Sequence, residues 1–362
     1  MADRIWNFNP GPSTLPLSVL EKAKSEIPNY AGTGMAFMEL SHRSKEYAAV
    51  HAEAKSLLYD LFGIPDNFKV LFLQGGASLQ FAMIPMNLLG EGKTADYVIT
   101  GAWSKKALKE ANIIASANVA GSSEEHNFNR IPGFEELSFD PNAEYVHITS
   151  NNTIAGTQWA DFPDTGSVPL ISDMSSDIMS RKVDVGKFGI IYAGAQKNLG
   201  PSGVTVVIIR DDIVEKCRDD IPTLLMYKTH VDKDSLFNTS PTYSIYLLKL
   251  VLEWVKESGG LSAIEEANEA KGKLLYGVID SSEGFYRGTV ERDSRSLMNV
   301  TFRLPSEDLE AKFIAEAFSA GFGGLKGHRS VGGVRVSMYN AMPLEGVQAL
   351  TDFMVEFAGK NG

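Results

Sequence analysis

Residues 189–203 read GIIYAGAQKNLGPSG, and this segment decides how the chain is interpreted. An apolar run over 189–192 leads into a turn of small residues that presents Lys197, and Gly200 and Gly203 follow. Small residues allow the backbone and the lysine stem to approach a planar ligand closely. Such a lysine can act as a Schiff-base nucleophile when its surroundings lower its pKa, although most lysines are solvated surface groups.

Short apolar runs alternate with helical patterns through the first two thirds of the chain. A 3.6-residue period predicts a helix over 78–89, in which Pro85 is expected to cause a kink. The apolar character of the runs suits strands covered on both faces, so we predict an α/β fold with a mostly parallel sheet. The predicted strands cover residues 70–73, 97–100, 145–149, 170–172, 189–192 and 204–209.

The pattern changes at the Ser-Gly-Gly sequence of residues 258–260. Beyond it we predict a helix over 261–278, strands over 297–302 and 333–338, and two further helices. This is an α+β pattern of the size of a small domain. We therefore expect a large α/β domain over residues 1–260, whose N-terminal segment packs on the small domain, and a C-terminal α+β domain over 261–362.

Composition excludes several classes of partner. The 362 residues carry a net charge of −11, which opposes binding to nucleic acid or to an anionic membrane. The single cysteine, Cys217, allows no intrachain disulfide and no cysteine metal cluster, and no metal site is predicted. The chain has neither the apolar run of a secretory signal nor a stretch long enough to span a bilayer, so a cytoplasmic protein is expected.

Asp173 changes the interpretation of Lys197. It ends the apolar run that begins at Val168, and ligands in an open α/β sheet bind beyond the carboxyl ends of strands. An aspartate paired with a pyridine nitrogen keeps that nitrogen protonated and makes the ring an electron sink. The alternative is that Asp173 only caps a helix starting at Met174.

Three further positions suit a phosphorylated aromatic ligand. The turn QGGAS over 74–78 lies between a strand and a helix, where backbone N–H groups and the Ser78 hydroxyl could cradle a phosphate. Trp103 could stack on a ring, and Thr153 could bond a phenolic oxygen. The alternatives are an ordinary turn with Ser78 as N-cap, and core packing of Trp103.

Two short segments concentrate potentially cationic side chains: His42 and Arg43, and then His328, Arg329 and Arg335. The planar fork of arginine suits carboxylate and phosphate groups. In a chain of negative net charge, this cluster indicates a small dianionic substrate. The alternative for each residue is a surface ion pair.

Together these residues resemble the phosphoserine aminotransferases, a family of fold-type I pyridoxal-phosphate enzymes in the class V aminotransferase group. The resemblance runs nearly end to end. Its motifs are NPGP (9–12), SHR (41–43), GGAS (75–78), NNTIAG (151–156), QK (196–197), FNTSPT (237–242), GHRSVGGVR (327–335) and YNAMP (339–343).

The resemblance implies a role for each candidate residue. Lys197 would carry pyridoxal 5'-phosphate covalently, Asp173 would pair the pyridine nitrogen, Trp103 would stack on the ring and Thr153 would bond its oxygen. The cofactor phosphate would be held by Ala77, Ser78 and Gln196, and by Asn238 and Thr239 from a second subunit, so a homodimer with composite sites is implied. Arg335 would bind the substrate α-carboxylate, and the distal phosphate or carboxylate would be bound by His42, Arg43, His328 and Arg329. Some family members carry an arginine where this chain has Ser78.

The implied reaction is amino transfer between glutamate and 3-phosphohydroxypyruvate, giving 3-phosphoserine and 2-oxoglutarate. The resemblance also implies formation of 4-phosphohydroxythreonine in pyridoxine synthesis. Two alternatives remain open: a lyase such as a cysteine desulfurase, and a non-catalytic pyridoxal-phosphate-binding regulatory dimer. The lyase normally needs a cysteine on a mobile loop, whereas Cys217 is expected in a charged helix.

Overall fold

The structure, a computed structural model, describes residues 4–362; the first three residues of the domain predicted over 1–260 lie outside them. Within the described residues the helices are α1 (Leu17–Glu26), α2 (Lys45–Phe62), α3 (Gly76–Leu88), α4 (Ala102–Ile114), α5 (Asp211–Lys216), α6 (Tyr227–Asp232), α7 (Thr242–Glu257), α8 (Gly260–Asp280), α9 (Glu307–Ser319) and α10 (Leu344–Asn361). The strands are β1 (Trp6–Asn7), β2 (Phe68–Leu73), β3 (Thr94–Ile99), β4 (Ser116–Ser122), β5 (Val146–Thr149), β6 (Asn151–Asn152), β7 (Thr157–Gln158), β8 (Leu170–Asp173), β9 (Phe188–Gly194), β10 (Thr205–Arg210), β11 (Arg287–Gly288), β12 (Asn299–Arg303), β13 (Phe322–Gly323) and β14 (Val334–Ser337).

A central sheet of seven strands, in the order β2-β10-β9-β8-β5-β3-β4, forms the framework of the molecule. Strand β10 runs antiparallel to both of its neighbours, and the other strand pairs of this sheet are parallel. Alternate residues of β2 enter different cores, since Val70 and Phe72 pack on one face while Leu71 and Leu73 pack on the other. The predicted α/β fold with a mostly parallel sheet is confirmed.

A second, smaller core lies in the C-terminal part of the chain. The sheet β11-β12-β14 packs with α8, α9 and α10 around apolar side chains such as Phe302 and Phe313. Strand β1 pairs in parallel with β13, and Phe8 joins this core although it belongs to the N-terminal segment. We propose from these contacts that the small domain starts with α8 and includes the N-terminal segment as a packing partner.

Several local predictions need correction. Helix α3 begins at Gly76, with Gly75 as its N-cap, and it continues through Pro85 to Leu88. A proline inside a helix removes one hydrogen bond, and here the buried side chains of α3 offset that loss. Strand β4 and the β6–β7 hairpin were not predicted, because β4 is a largely exposed edge strand and the hairpin strands are only two residues each. None of the helices within residues 4–362 combines the length and apolar character needed to cross a bilayer.

Buried polar side chains on α8 hold the backbone segment of residues 338–342. Lys271 donates hydrogen bonds to the carbonyl oxygens of Met338, Tyr339 and Met342 at 3.0, 2.9 and 3.0 Å. One turn earlier, Asn268 donates to the side chain of Asn340 at 2.9 Å. Burial lowers the pKa of Lys271 to about 7. Because three carbonyl groups depend on this one amine, it fixes the conformation of residues 338–342.

Substitution of Lys271 by Met tests this connection. Met has a similar length but cannot donate, so three buried carbonyl groups lose their partner, and we expect the free energy of unfolding to fall by about 2–4 kcal/mol. The exposed Lys273 on the same helix provides the control, since Lys273→Met should change stability by less than about 0.5 kcal/mol. Urea unfolding measures both variants. Equal stability of Lys271→Met and wild type would contradict the proposed connection.

Candidate active site

A cavity of about 310 Å³ lies at the carboxyl ends of the parallel strands. Thr149 and Asp173 end β5 and β8 and are paired across the sheet, and Gln196 and Lys197 follow the end of β9. The sheet register therefore brings residues that are far apart in sequence to one edge. Nine of the predicted site residues line the cavity: Ala77, Ser78, Trp103, Thr153, Asp173, Gln196, Lys197, His328 and Arg335.

The Lys197 amine is enclosed by hydroxyl groups. Its Nζ donates to Thr153 Oγ1 and to Ser176 Oγ, both at 2.7 Å. Burial lowers the pKa of Lys197 to about 8, opposed by the Asp173 carboxylate and assisted by the Arg335 cation. Gly11 packs on the lysine stem with a φ of +137°, and a Cβ there would lie 3.3 Å from Lys197 Cγ. A substantial neutral fraction near neutral pH suits an amine that acts as nucleophile and base.

Asp173 is a buried carboxylate at the cavity wall. Burial raises its pKa, while hydrogen bonds from Ser175 and the charge of Lys197 lower it. Its Oδ1 accepts the Ser175 backbone N–H at 2.9 Å, and no helix starts at Met174, so the helix-capping alternative is wrong. Within residues 4–362 Asp173 makes no ion pair. A buried acid of this kind suits a cationic ring nitrogen.

The start of α3 forms the opposite end of the cavity. Gly75 holds a left-handed φ of 86°, and no side chain caps the helix, so the first N–H groups of α3 are free to bind an anion. Ser78 lies inside the first turn, so its interpretation as the N-cap is wrong. Thr149 Oγ1 is buried at the cavity without a partner in the described part of the chain. A phosphate cradle, an amine, a buried acid and an orphaned hydroxyl together fit pyridoxal phosphate.

Arg335 is the main cation of the cavity. It is buried, with a single hydrogen bond from Nη1 to the Thr153 carbonyl at 3.3 Å, and its Nε has no partner in the described residues. Burial lowers the pKa of Arg335. His328 lies nearby, where burial and then the charges of Arg335, Arg329 and Lys106 lower its pKa. A buried guanidinium without an acidic partner is suited to an anionic ligand.

Five predicted residues do not line this cavity: His42, Arg43, Asn238, Thr239 and Arg329. Arg43 and Arg329 are exposed, and His42 is half-buried with Nε2 unpartnered in the described chain. Asn238 donates to Gln74 Oε1 at 2.9 Å, and Gln74 Nε2 donates to the Thr239 carbonyl at 3.2 Å. Asn238 and Thr239 therefore lie beside Gln74, the first residue of the turn over 74–78.

The family comparison agrees with this geometry. The aminotransferase class-V profile matches residues 5–350. A phosphoserine aminotransferase of Desulfosudis oleivorans is 60% identical over 100% of both chains. The solved phosphoserine aminotransferase of Bacillus circulans subsp. alkalophilus covers 99% of each chain at 56% identity, with a TM-score of 0.98. The chain belongs to the phosphoserine aminotransferase family.

A more distant member of the phosphoserine aminotransferase family is relevant to the cofactor. The pyridoxal-phosphate-bound enzyme of Trichomonas vaginalis is 38% identical, with a TM-score of 0.92 over 97% of this chain and 100% of that chain. Membership of this family confirms the resemblance found in the sequence. It removes the basis for the lyase alternative. Cys217 is also unsuited to the role of a lyase nucleophile, since it is buried directly after α5 and burial raises the pKa of its thiol to about 12.

Ser176 and Lys106 are among the side chains of this site that sequence reasoning missed. Ser176 lines the cavity and contacts Lys197, and its only sequence signal is its place shortly after Asp173. Lys106 lies one helical turn after Trp103, with its Nζ 3.9 Å from the Trp103 ring centroid. The i, i+3 spacing could have indicated that contact. Lys106 adds a positive charge near His328. This chain has serine at position 78, where some family members carry an arginine.

Replacement of Lys197 by Ala tests its role in the site. The phosphate cradle and Asp173 remain, so the variant should bind pyridoxal phosphate without the absorbance band of the lysine-bound cofactor and without turnover. In wild-type protein stripped of cofactor, only the neutral amine reacts, so the rate of covalent capture should rise with pH and level off above about 8. Absorbance spectra measure both effects. Normal turnover in Lys197→Ala would refute the assignment.

Proposed function

We propose that this chain is a pyridoxal-phosphate-dependent phosphoserine aminotransferase, which moves an amino group between glutamate and 3-phosphohydroxypyruvate. The observation that carries the proposal is that the buried Arg335 guanidinium, which forms no ion pair with a carboxylate within the described residues, lies in the same cavity as the Lys197 amine. Catalysis at an amino acid needs both a cation for the α-carboxylate and a base for the α-carbon. The proteins that are 53–60% identical to this chain bear the name of this activity.

Pyridoxal phosphate, when bound, supplies an electron sink that lowers the barrier to removal of the α-proton. Asp173 holds the charge that keeps the ring nitrogen protonated. Arg335 binds the α-carboxylate and so orients the α-carbon towards Lys197. The neutral Lys197 amine takes the α-proton on Nζ and can release it again, and the pKa of about 8 suits both the uptake and the release of that proton near neutral pH. Trp103 and Ile154 exclude water from one side of the cavity.

The distal anion of the substrate requires cations beyond Arg335. His328 lines the cavity, and Arg329 is near enough to lower its pKa. We assign these two groups, with His42 and Arg43, to the side-chain carboxylate of glutamate and the phosphate of the oxo acid. The same contacts would accept the phosphorylated hydroxy-oxo acid that yields 4-phosphohydroxythreonine. The reaction belongs to serine biosynthesis, and the cytoplasm stays the location predicted from the sequence.

A homodimer accounts for four of the five predicted residues that lie outside the cavity. Asn238, Thr239, His42 and Arg43 do not reach the cavity of their own chain. Large apolar side chains are exposed on nearby segments, with 50% of Met38 and 44% of Phe237 accessible. Exposed apolar groups beside polar site residues are typical of an interface. We therefore propose that these four residues complete the site of a second copy.

The substrate assignment is tested by comparing Arg329→Ala with Arg335→Ala. Wild type should transaminate 3-phosphohydroxypyruvate with glutamate. Arg335→Ala should weaken kcat/KM for every amino acid, because all share the α-carboxylate. Arg329→Ala should weaken kcat/KM for phosphoserine about tenfold to a hundredfold and leave that for alanine nearly unchanged, because a charge-assisted hydrogen bond is lost only with a distal anion.

An internal comparison of substrates within Arg329→Ala controls for misfolding of that variant. Alanine has no side-chain anion, so its kcat/KM in Arg329→Ala reports the integrity of the catalytic groups. Equal losses for phosphoserine, glutamate and alanine would mean that Arg329 does not read the phosphate. Failure of the wild type with 3-phosphohydroxypyruvate would refute the function itself.

Subunit mixing tests the composite site. Lys197→Ala lacks the catalytic amine, and Asn238→Asp places a negative charge where we propose the partner's cofactor phosphate lies. A heterodimer of the two variants has one site with Lys197 and the partner's Asn238 intact, so it should show about half of the wild-type activity. Each homodimer should be nearly inactive. Absence of recovery in an isolated heterodimer, or an active monomer in sedimentation, would contradict the proposal.

A further inference from the structure

The loop of residues 236–239, which carries Asn238 and Thr239, is flanked by a buried serine at each end. Ser235 and Ser240 are 3% and 7% exposed, whereas the residues between them are partly or largely accessible. The Phe72 backbone N–H of strand β2 donates to Ser235 Oγ at 3.0 Å. This contact fixes the first end of the loop to the central sheet.

The backbone just before the loop is strained. Asp234 and Ser235 have φ angles of 48° and 62°, which lie in the left-handed region although neither residue is glycine. Such a conformation costs free energy and persists only where the surroundings hold it. The Lys55 amine of α2 pairs with the Asp234 carboxylate, and Nε2 of His51 lies 3.5 Å from the same carboxylate. Helix α2 therefore helps to hold the start of the loop.

Tyr47, also on α2, holds the other end of the loop. Its side chain is fully buried, and its hydroxyl oxygen lies 2.6 Å from Ser240 Oγ. The two hydroxyl groups form a hydrogen bond in which either one can be the donor. Loss of the Tyr47 hydroxyl would therefore release the loop at Ser240.

Tyr47 also contacts the segment that contains Arg43. The Tyr47 backbone N–H donates to Ser44 Oγ at 3.2 Å, and Ser44 is the N-cap of α2. Ser44 directly follows Arg43, and Ser240 directly follows Thr239. With its backbone and its hydroxyl, Tyr47 thus contacts the two segments that we propose enter the site of a second copy.

Both of these segments are assigned to anions, one to the cofactor phosphate and the other to the distal group of the substrate. Side chains that are held in the bound geometry before a ligand arrives lose less entropy on binding than mobile side chains do. The affinity of a composite site for both anions therefore depends on how firmly the other subunit holds its two segments.

We propose that Tyr47 is a positioning residue for the site of the partner subunit, where it supports binding of the cofactor phosphate and of the distal substrate anion together. The inference rests on the composite site proposed above. Tyr47 does not line the cavity of its own chain, which contains Lys197 and Arg335. Replacement of Tyr47 should therefore change binding at the partner's site and leave the chemical steps unchanged.

Tyr47→Phe in one chain of a heterodimer tests this proposal. The reference heterodimer pairs a Lys197→Ala chain with an Asn238→Asp chain, so its working site has Lys197 from the second chain and Asn238 from the first. Tyr47→Phe is added to the first chain in one preparation and to the second chain in another. Tyr59→Phe is the matched control, because Tyr59 lies on the same helix and its hydroxyl donates to the Phe68 carbonyl at 2.6 Å instead of to the loop.

In the Lys197→Ala chain, which supplies Asn238 to the working site, Tyr47→Phe should weaken binding of pyridoxal phosphate to the cofactor-stripped heterodimer about threefold to tenfold. The absorbance band of the lysine-bound cofactor measures this binding at the working site alone, since the other site lacks Lys197. With saturating cofactor, KM for phosphoserine should rise, while kcat and the KM for alanine stay near those of the reference. In the Asn238→Asp chain the same substitution should change none of these values, and Tyr59→Phe should match the reference in both chains.

A loss that appears when Tyr47→Phe is in the chain with Lys197, or equally in both arrangements, would overturn the proposal. Tyr47 would then act within its own chain, through the contact of Asn238 with Gln74. A fall in kcat with cofactor binding and KM unchanged would overturn it as well. Ser240→Ala removes the same hydrogen bond from the other side and should reproduce every change, which keeps the test valid if Tyr47→Phe does not fold.

Failure of the proposed function gives different results. A reference heterodimer without activity would refute the composite site and this inference with it. Rejection of 3-phosphohydroxypyruvate by a wild type that uses glutamate would refute the proposed substrate alone, and the cofactor-binding test of Tyr47 would still decide this inference.

Discussion

Transfer of the Lys197 amine from water into the protein interior costs free energy when the amine is charged, and much of the site compensates for this cost. The pKa of about 8 shows the balance: burial disfavours the charge, while Asp173 favours it. Two hydroxyl groups accept hydrogen bonds from the amine, whereas a carboxylate in direct contact would hold the proton too firmly. The site therefore keeps a lysine that gains and loses a proton near neutral pH.

The enclosure of this amine depends on segments from distant parts of the chain. The central sheet supplies Asp173 and the turn that bears Lys197. The small core supplies Arg335, and Lys271 fixes the backbone of residues 338–342. Asn340 in that segment donates its backbone N–H to the side chain of Asn198, the residue directly after Lys197, at 3.0 Å. Asn268 of α8 thus connects to the lysine turn through Asn340. These contacts fix the position of the small core relative to the central sheet around the cavity.

The sequence predicted the parts of this arrangement that follow from local patterns. The apolar strands, the lysine turn and Asp173 at a strand end were found because each has a periodic or positional signal. The edge strand β4 was missed, since an exposed strand of small and polar residues has no apolar run. The contact of Ser176 with Lys197 was not identified, because a hydrogen bond between residues far apart in sequence has no local signal. The roles of Asn238, Thr239, His42 and Arg43 depend on a second copy and stay predictions.

The N-terminal segment connects the two ends of the polypeptide. Strand β1 pairs with β13, while Gly11 packs on the Lys197 stem and the Pro10 carbonyl accepts the Tyr339 hydroxyl. The partners of Trp6, Asn7 and Pro10 thus lie in the last third of the chain. Contacts between such distant residues form late in folding, because closing a long loop costs entropy. During synthesis the central sheet can therefore form before the wall of the lysine pocket, and a nascent chain carries an open, incomplete cavity until the residues that pair with the N-terminal segment have been added.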